Sequence, residues 1–346
     1  MADIKNLNLK ELETVITSWG FPRFCAGQVF DWVYKKSAVD FSQMSNLPLD
    51  LRKRLAENYV LSCLELVKKQ QSKDKTEKFL FELADKNFIE AVSIPAKDRV
   101  TGCISSQAGC KFACRFCASG QLGLRRNLEV AEIIEQALYL KNYSAAKKLT
   151  HIVFMGTGEP LDNYDNVLAA IRLINAKDGM GIGARRITIS TCGIIPGIEK
   201  LAQEKLQIEL SVSLHAADNA TRDKLMPVNK KYPLEQLLRC CRDYVKKTNR
   251  QVTFEYILVK DINSGLPDAR RLAIMLAGFD CKVNLIPANP ARNLGILAPP
   301  AGAVKVFQNA LSQSGVKVTL RQARGEDIDA ACGQLRLKYE PRCKSE

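Results

Sequence analysis

Residues 109–117 read GCKFACRFC, which sets Cys110, Cys114 and Cys117 in a C-x3-C-x2-C spacing. Three thiols crowded into so short a segment form a tight loop around a soft metal centre. A structural zinc site takes a fourth Cys or His, and the loop contains neither. Zinc and three unrelated buried cysteines are the bland alternatives. If the centre is a cubane iron–sulfur cluster, three protein ligands leave one iron open to a small molecule.

An apolar, β-branched run, Val100 to Ser105, precedes the loop, and similar runs recur at His151 to Met155, Arg186 to Ser190, Gln207 to Leu214, Val252 to Val259 and Lys282 to Pro287. Helix-like segments alternate with them. Val130, Ile133, Ile134, Ala137 and Leu138 share one face, and Val167 to Ile174, Leu234 to Tyr244 and Ala269 to Ala277 follow. Six β–α repeats predict parallel strands, hence an α/β barrel or a doubly wound sheet. A final helix near Val304 to Leu311 and a strand from Val316 to Leu320 precede a short polar tail.

Upstream the pattern is helical. Asn8 can cap a helix with Glu11 three residues on, and Leu12, Val15, Ile16 and Trp19 recur at helical spacing until Gly20 and Pro22 stop it. With amphipathic segments at Gln28 to Lys35 and Leu51 to Tyr59, residues 1–75 read as a small helical domain ending in the exposed, lysine-rich turn KKQQSKDKTEK. Residues 76–97 read as a connecting β segment, and residues 98–346 as the main α/β domain.

A chain of 346 residues, 46% hydrophobic, can bury a full-sized core. Its formal charge of +14 suits a polyanionic partner, with nucleic acid the leading candidate. No stretch approaches the roughly 20 apolar residues that cross a bilayer, and the N-terminus lacks the apolar core of a signal peptide. The expected location is the cytoplasm and the expected state a monomer. In a reducing compartment 12 cysteines are not a disulfide framework, so clustered ones point to metal or catalysis. With only 2 histidines, His151 and His215, a His-rich zinc or non-haem iron centre is disfavoured.

The cysteine spacing at the start of a β/α repeat resembles the radical S-adenosylmethionine (SAM) superfamily, whose fold is a partial (β/α)6 barrel. The resemblance implies a [4Fe-4S] cluster on Cys110, Cys114 and Cys117, with SAM on its open iron. GTGEP, residues 156–160, resembles the superfamily's SAM amino-group motif, with Gly158 and Glu159 contributing. Ser190, then Ser213, Leu214 and His215, then Asn289 fall at the C-terminal ends of successive strands, where β/α barrels gather their chemistry. Taken alone, His215 reads as a satisfied structural histidine.

CISSQ at Cys103 and GEDIDAACGQL ending at Leu335 narrow the likeness to the RlmN/Cfr family of RNA adenine methyl synthases, and ARGEDIDAACGQL is close to the RlmN branch. In that family the residue matching Cys332 accepts a methyl group from one SAM, and a second SAM is cleaved in the same turnover. The residue matching Cys103 later pairs with Cys332, and the one matching Glu90, in FIEAVSIP, takes up a proton. As a bare residue on a strand, Glu90 reads as a solvent-facing carboxylate.

The implied chemistry is self-consistent. Carbon 2 of adenine lies between two ring nitrogens and is too electron-poor to attack SAM directly, so a carbon radical on the Cys332 methyl group adds to it instead. Attack by Cys103 on the Cys332 sulfur then frees the product, and reduction of the resulting disulfide resets the pair. The resemblance implies 23S ribosomal RNA and tRNA, at the adenine 3′ of the anticodon, as substrates, and a cellular reductant as partner. Cfr-type methylation of carbon 8 is the alternative within the class, and an iron–sulfur RNA-binding or electron-transfer protein without turnover the alternative outside it. After Asn289, ARNLGILAPP stands where the RlmN form carries a longer, aromatic-containing loop. Cys25, Cys63, Cys192, Cys240, Cys241, Cys281 and Cys343 read as structural.

Overall fold

The computed structural model describes residues 1–121, 123–145, 148–289 and 296–321, with Arg324, Gly325, Asp327, Ile328, Leu335 and Tyr339. Helix α1 (Leu9–Ser18) starts at a complete capping box. The Glu11 amide donates to the Asn8 side chain at 3.1 Å, and the Asn8 amide to the Glu11 carboxylate at 2.7 Å. α2 (Phe24–Phe30) runs on through one wider turn to Lys35, and α3 (Leu49–Asn58) buries Leu51 and Leu55. The parallel pair β1 (Ala2–Asp3) and β2 (Tyr59–Val60) closes this small unit.

The helical unit ends earlier than the sequence pattern indicates. β3 (Glu65–Gln71) is a strand, antiparallel to β4 (Glu77–Glu82), which pairs with β5 (Phe88–Pro95), and that in turn with β6 (Val100–Cys103). Nearly every side chain of β3 is exposed, so ELVKKQQ carries no alternation from which a strand could be read.

From β6 onward the connections cross over and the strands run parallel. In the order β6, β9 (His151–Phe154), β10 (Ile187–Thr191), β11 (Glu209–Ser213), β12 (Val252–Leu258), β13 (Cys281–Pro287) and β14 (Lys317–Leu320), each pairs with the next. The last adds a seventh parallel strand to the six expected, so that β3 and β14 are the two edges of one open sheet. The crossover helices are α5 (Val130–Tyr143), α6 (Tyr164–Asn175), α7 (Ile195–Leu201), α8 (Asn219–Leu225), α9 (Leu234–Thr248), α10 (Leu266–Leu276) and α11 (Ala301–Gln313). A short ribbon of β7 (Gln107–Gly109) and β8 (Leu124–Asn127) brackets the cysteine loop and the single turn α4 (Ala118–Gln121). No helix among the described residues is long and apolar enough to cross a membrane.

Strand register sorts the side chains. Residues opposite one another across a ladder point to the same face. Ile152, Ile187, Ile189, Leu210, Val212, Val252, Phe254, Val283 and Leu285 share the face packed in the main core, and all are buried. Full burial of each such side chain is worth about 1.5–3 kcal/mol. The other face carries Lys78, Glu90, Cys103, Ser190, Ser211, Ser213, Glu255 and Asn284. A parallel sheet normally has two apolar faces, so a polar one marks the interior of a working barrel.

The helical unit is fastened to α5. Lys5 Nζ lies 3.1 Å from Glu135, the Ala131 amide donates to Asn6 Oδ1 at 2.8 Å, and Lys141 Nζ donates to the Tyr34 carbonyl at 2.7 Å. The apolar core runs unbroken across the joint.

Candidate active site

The cysteine loop is shaped by backbone. Gly109 has φ +91°, and a Cβ there would fall 1.9 Å from the Gly123 carbonyl oxygen, which accepts from the Cys110 amide at 3.0 Å. The Cys117 amide donates to the Cys114 carbonyl at 3.0 Å, and the Arg115 amide to the Leu225 carbonyl at the end of α8 at 2.9 Å. All three thiols are free and part-buried. Burial, and next the neighbouring Cys117 thiol, push Cys110 up to about 12. Burial followed by Cys117 and Cys110 drive Cys114 well above its ordinary value. Burial thus disfavours the thiolate at Cys110 and Cys114, and a cationic soft centre bound there would reverse that by stabilising it. Among the described residues no three His, Cys, Asp or Glu side chains converge on a single ion. Three soft thiol donors on one short loop are the ligand set of an iron–sulfur cluster, and the loop supplies no fourth Cys or His to complete a tetrahedral zinc site.

CISSQ and GTGEP interlock. Ser105 Oγ donates to the Glu90 carbonyl at 2.6 Å and accepts from the Thr157 amide at 2.9 Å, and the Ser106 amide donates to the Thr157 carbonyl at 2.9 Å. The Glu159 amide donates to Gln107 Oε1 at 2.8 Å. Gly158 has φ +105°, and a Cβ on it would meet Gln107 Cβ at 2.6 Å. The Glu159 carboxylate is buried and turned onto backbone, accepting from the Leu161 amide at 3.0 Å and the Cys192 amide at 2.7 Å. Burial raises its pKa, and the Cys192 hydrogen bond pulls the other way. Glu159 thus ties the loop after β9 to the loop after β10.

Ser190 lies in β10 beside Ser211 of β11, and Ser213 ends β11 beside Glu255 of β12. Leu214 is a core residue whose amide donates to the Glu255 carbonyl at 3.0 Å. His215 sits at φ +58° with its Nδ1 accepting from the Ile257 amide at 3.0 Å, and its ring meets Phe116 of the cysteine loop edge-on at 4.7 Å. Burial, then Arg222, lower its pKa to about 3, so the ring is neutral. Asn289 is exposed just beyond β13.

On the same sheet face, Lys78 Nζ stands 2.9 Å from Glu90 Oε2, with side-chain exposures of 0% and 4%. Glu90 is therefore buried and paired, where its bare sequence context pointed to solvent. Register puts Val92 opposite Cys103 and Glu90 two residues along the same face. Cys332 lies outside the described residues, as does the segment from Pro290 to Gly295.

A Radical SAM superfamily model matches residues 104–272, and a Ribosomal RNA large subunit methyltransferase N-terminal domain model matches residues 2–61. The probable dual-specificity RNA methyltransferase RlmN of Pelotomaculum thermopropionicum is 46% identical over 97% of this chain and 92% of its own length. That of Caldicellulosiruptor saccharolyticus is 45% identical over 97% of each. The chain belongs to the RlmN family of radical SAM RNA methyltransferases. A crystal structure of a radical SAM methyltransferase from Sphaerobacter thermophilus superposes with a TM-score of 0.93 at 42% identity, covering 96% of this chain and 99% of the other. An RlmN-family enzyme uses a [4Fe-4S] cluster and two SAM molecules per turnover, so the reading as a carrier or binder without turnover is set aside.

Several residues that build this site were not singled out by sequence reasoning. In the sequence Ser105 and Gln107 stand out only as neighbours of Cys103, although both hold the GTGEP loop. Lys78 closes the lysine-rich stretch KKQQSKDKTEK, which reads as an exposed turn, and the fold buries it against Glu90. Arg222 and Glu255 carry no local signature, and the alternation of VTFEYIL in β12 was the available sign that Glu255 faces inward.

Proposed function

We propose that this enzyme methylates carbon 2 of adenine in 23S ribosomal RNA and in tRNA at the base 3′ of the anticodon, by way of a methyl group carried on Cys332. Cys110, Cys114 and Cys117 hold the cluster, while Gly158, Glu159, Ser190, Ser213, Leu214, His215 and Asn289 form the SAM side of the barrel mouth. Bound there, the cluster and SAM would supply a hydrogen-abstracting radical and a methyl group, and the cluster would take back the one electron left on the base when its ring proton is lost. The chain's own residues do the rest. The Cys332 thiolate accepts the methyl and presents it to the base. Glu90, fixed by Lys78, takes the ring proton once the base is linked to Cys332. The Cys103 thiolate attacks the Cys332 sulfur, releasing methylated adenine and leaving a disulfide for a cellular thiol to reduce. Such a cycle belongs in the reducing cytoplasm.

The observation that carries this reading is the shared sheet face of Cys103, Glu90 and Lys78 at the strand that leads into the cysteine loop. Cys103→Ala protein tests it on a denaturing gel with labelled RNA. A covalent protein–RNA species should accumulate, and Cys103→Ala/Cys332→Ala protein should give none. Normal turnover by Cys103→Ala protein would end the release step. Mass spectrometry of the product nucleotide distinguishes carbon 2 from carbon 8.

A further inference from the structure

Arg222 is fully buried, yet no carboxylate lies within ion-pair distance of it among the described residues. Its guanidinium is held by neutral oxygens alone. Nε donates to the Leu214 carbonyl at 3.0 Å, Nη2 to the Cys192 carbonyl at 2.8 Å and the Ser213 carbonyl at 3.0 Å, and Nη1 to Asn229 Oδ1 at 3.0 Å and the Tyr232 carbonyl at 3.5 Å. Asp223 is one step removed, its Oδ1 accepting from Asn229 Nδ2 at 2.7 Å. A buried cation without a counter-anion is costly, and such charges are ordinarily paired.

The missing anion has an obvious place. α8, which carries Arg222, ends at Leu225, whose carbonyl takes the Arg115 amide inside the cysteine loop. Leu225 and Met226 pack with Cys192, Cys114, Phe112 and Phe116 in one cluster. Three thiolates around an iron–sulfur core leave a net negative charge, and one-electron reduction adds another. Such charge, with the dryness of the site, sets the reduction potential.

We propose that Arg222 is the fixed counter-charge of the iron–sulfur site, favouring its reduced state while tying the ends of β10 and β11 in place beside it. The inference rests on ligation by Cys110, Cys114 and Cys117. Arg222 touches neither substrate nor iron in this account, so it is a positioning residue. Its carbonyl bonds give it direction, and with no carboxylate in ion-pair contact among the described residues its charge is offset only in part, by Asp223 one hydrogen bond away through Asn229. Electrostatic interaction between Arg222 and the Cys114 and Cys192 sulfurs agrees with this placement.

The test is an anaerobic redox titration of reconstituted protein, followed by electron paramagnetic resonance and without RNA or turnover. Arg222→Met should disfavour the reduced cluster by roughly tenfold or more, about 59 mV for a one-electron couple. Arg222→Lys, which keeps the charge but not the carbonyl clamp, should stay near the parent potential. Asp223→Asn retains the acceptor for Asn229 and removes a nearby negative charge, so it should shift the potential the other way, by a few-fold. This third variant decides the matter if Arg222→Met fails to fold. A purely structural arginine predicts that Arg222→Lys fails like Arg222→Met and that Asp223→Asn leaves the potential unmoved, and either result overturns the proposal. Iron content of Cys114→Ala protein is measured alongside. Full retention of iron there would refute the ligand assignment, separately from any result at Arg222.

Discussion

Replacing Lys78 with Met isolates the buried ion pair on which the proposed proton acceptor depends. Lys78 Nζ and Glu90 Oε2 are 2.9 Å apart, and the two side chains are 0% and 4% exposed. Solvent cannot take over the role of either partner. Removing one side of such a pair strands the other charge, at a cost of about 3–5 kcal/mol. Removing both, as Lys78→Met/Glu90→Gln, takes the two opposite charges away together and should cost clearly less than Lys78→Met alone. The pair should therefore show strong non-additivity, with the double variant more stable than Lys78→Met alone. Urea unfolding at constant m-value reads all the species. A Lys78→Met cost below about 1 kcal/mol, or a double-variant cost equal to the sum of the singles, would refute the reasoning. If the double variant is nearly as stable as the parent, stability does not explain why the pair is present, and positioning of the Glu90 carboxylate does.

His215, neutral in the fold with a pKa of about 3 against about 6.5 unfolded, contributes stability that is complete above pH 6.5 and lost as pH falls toward 3. Between pH 6.5 and 4.5 its loss should approach about 2 kcal/mol, and urea titrations of His215→Gln protein should lack that part of the slope. Gly158→Ala puts a Cβ at φ +105° and 2.6 Å from Gln107 Cβ, which should cost about 1–3 kcal/mol and weaken SAM binding in equilibrium dialysis. An unchanged melting temperature would show that the loop relaxes freely. With a net charge of +14, the affinity for tRNA should fall steeply with salt, and a flat log–log plot in fluorescence titrations would exclude phosphate contacts as the main source of binding.

The parallel half of the sheet was legible because each of its strands pairs an apolar run with a helical repeat, and periodicity reports that arrangement directly. The antiparallel extension was less so. β3 is an edge strand exposed along almost its whole length, and its lysines and glutamines look like those of a turn. β14 was visible as a strand, but its partner was not, since pairing of Lys282 with Lys317 depends on the intervening helix α11 and not on anything local.

The site divides along the same line. Cys110, Cys114 and Cys117 are close in sequence because one loop must present three sulfurs to one centre, and a short spacing can be read. Arg222, Lys78 and Gln107 do their work across gaps of 30, 12 and 52 residues, to Cys192, Glu90 and Glu159 respectively. Such contacts exist only once the strands are in register. Burial is also what changes their chemistry. Lys78 in water would be an ordinary surface charge, whereas at the 0% exposure of its side chain it fixes the position of the Glu90 carboxylate 2.9 Å away. The residues that sequence could not single out are thus those whose role the fold itself creates, holding strand ends and charges where the cysteine loop can use them.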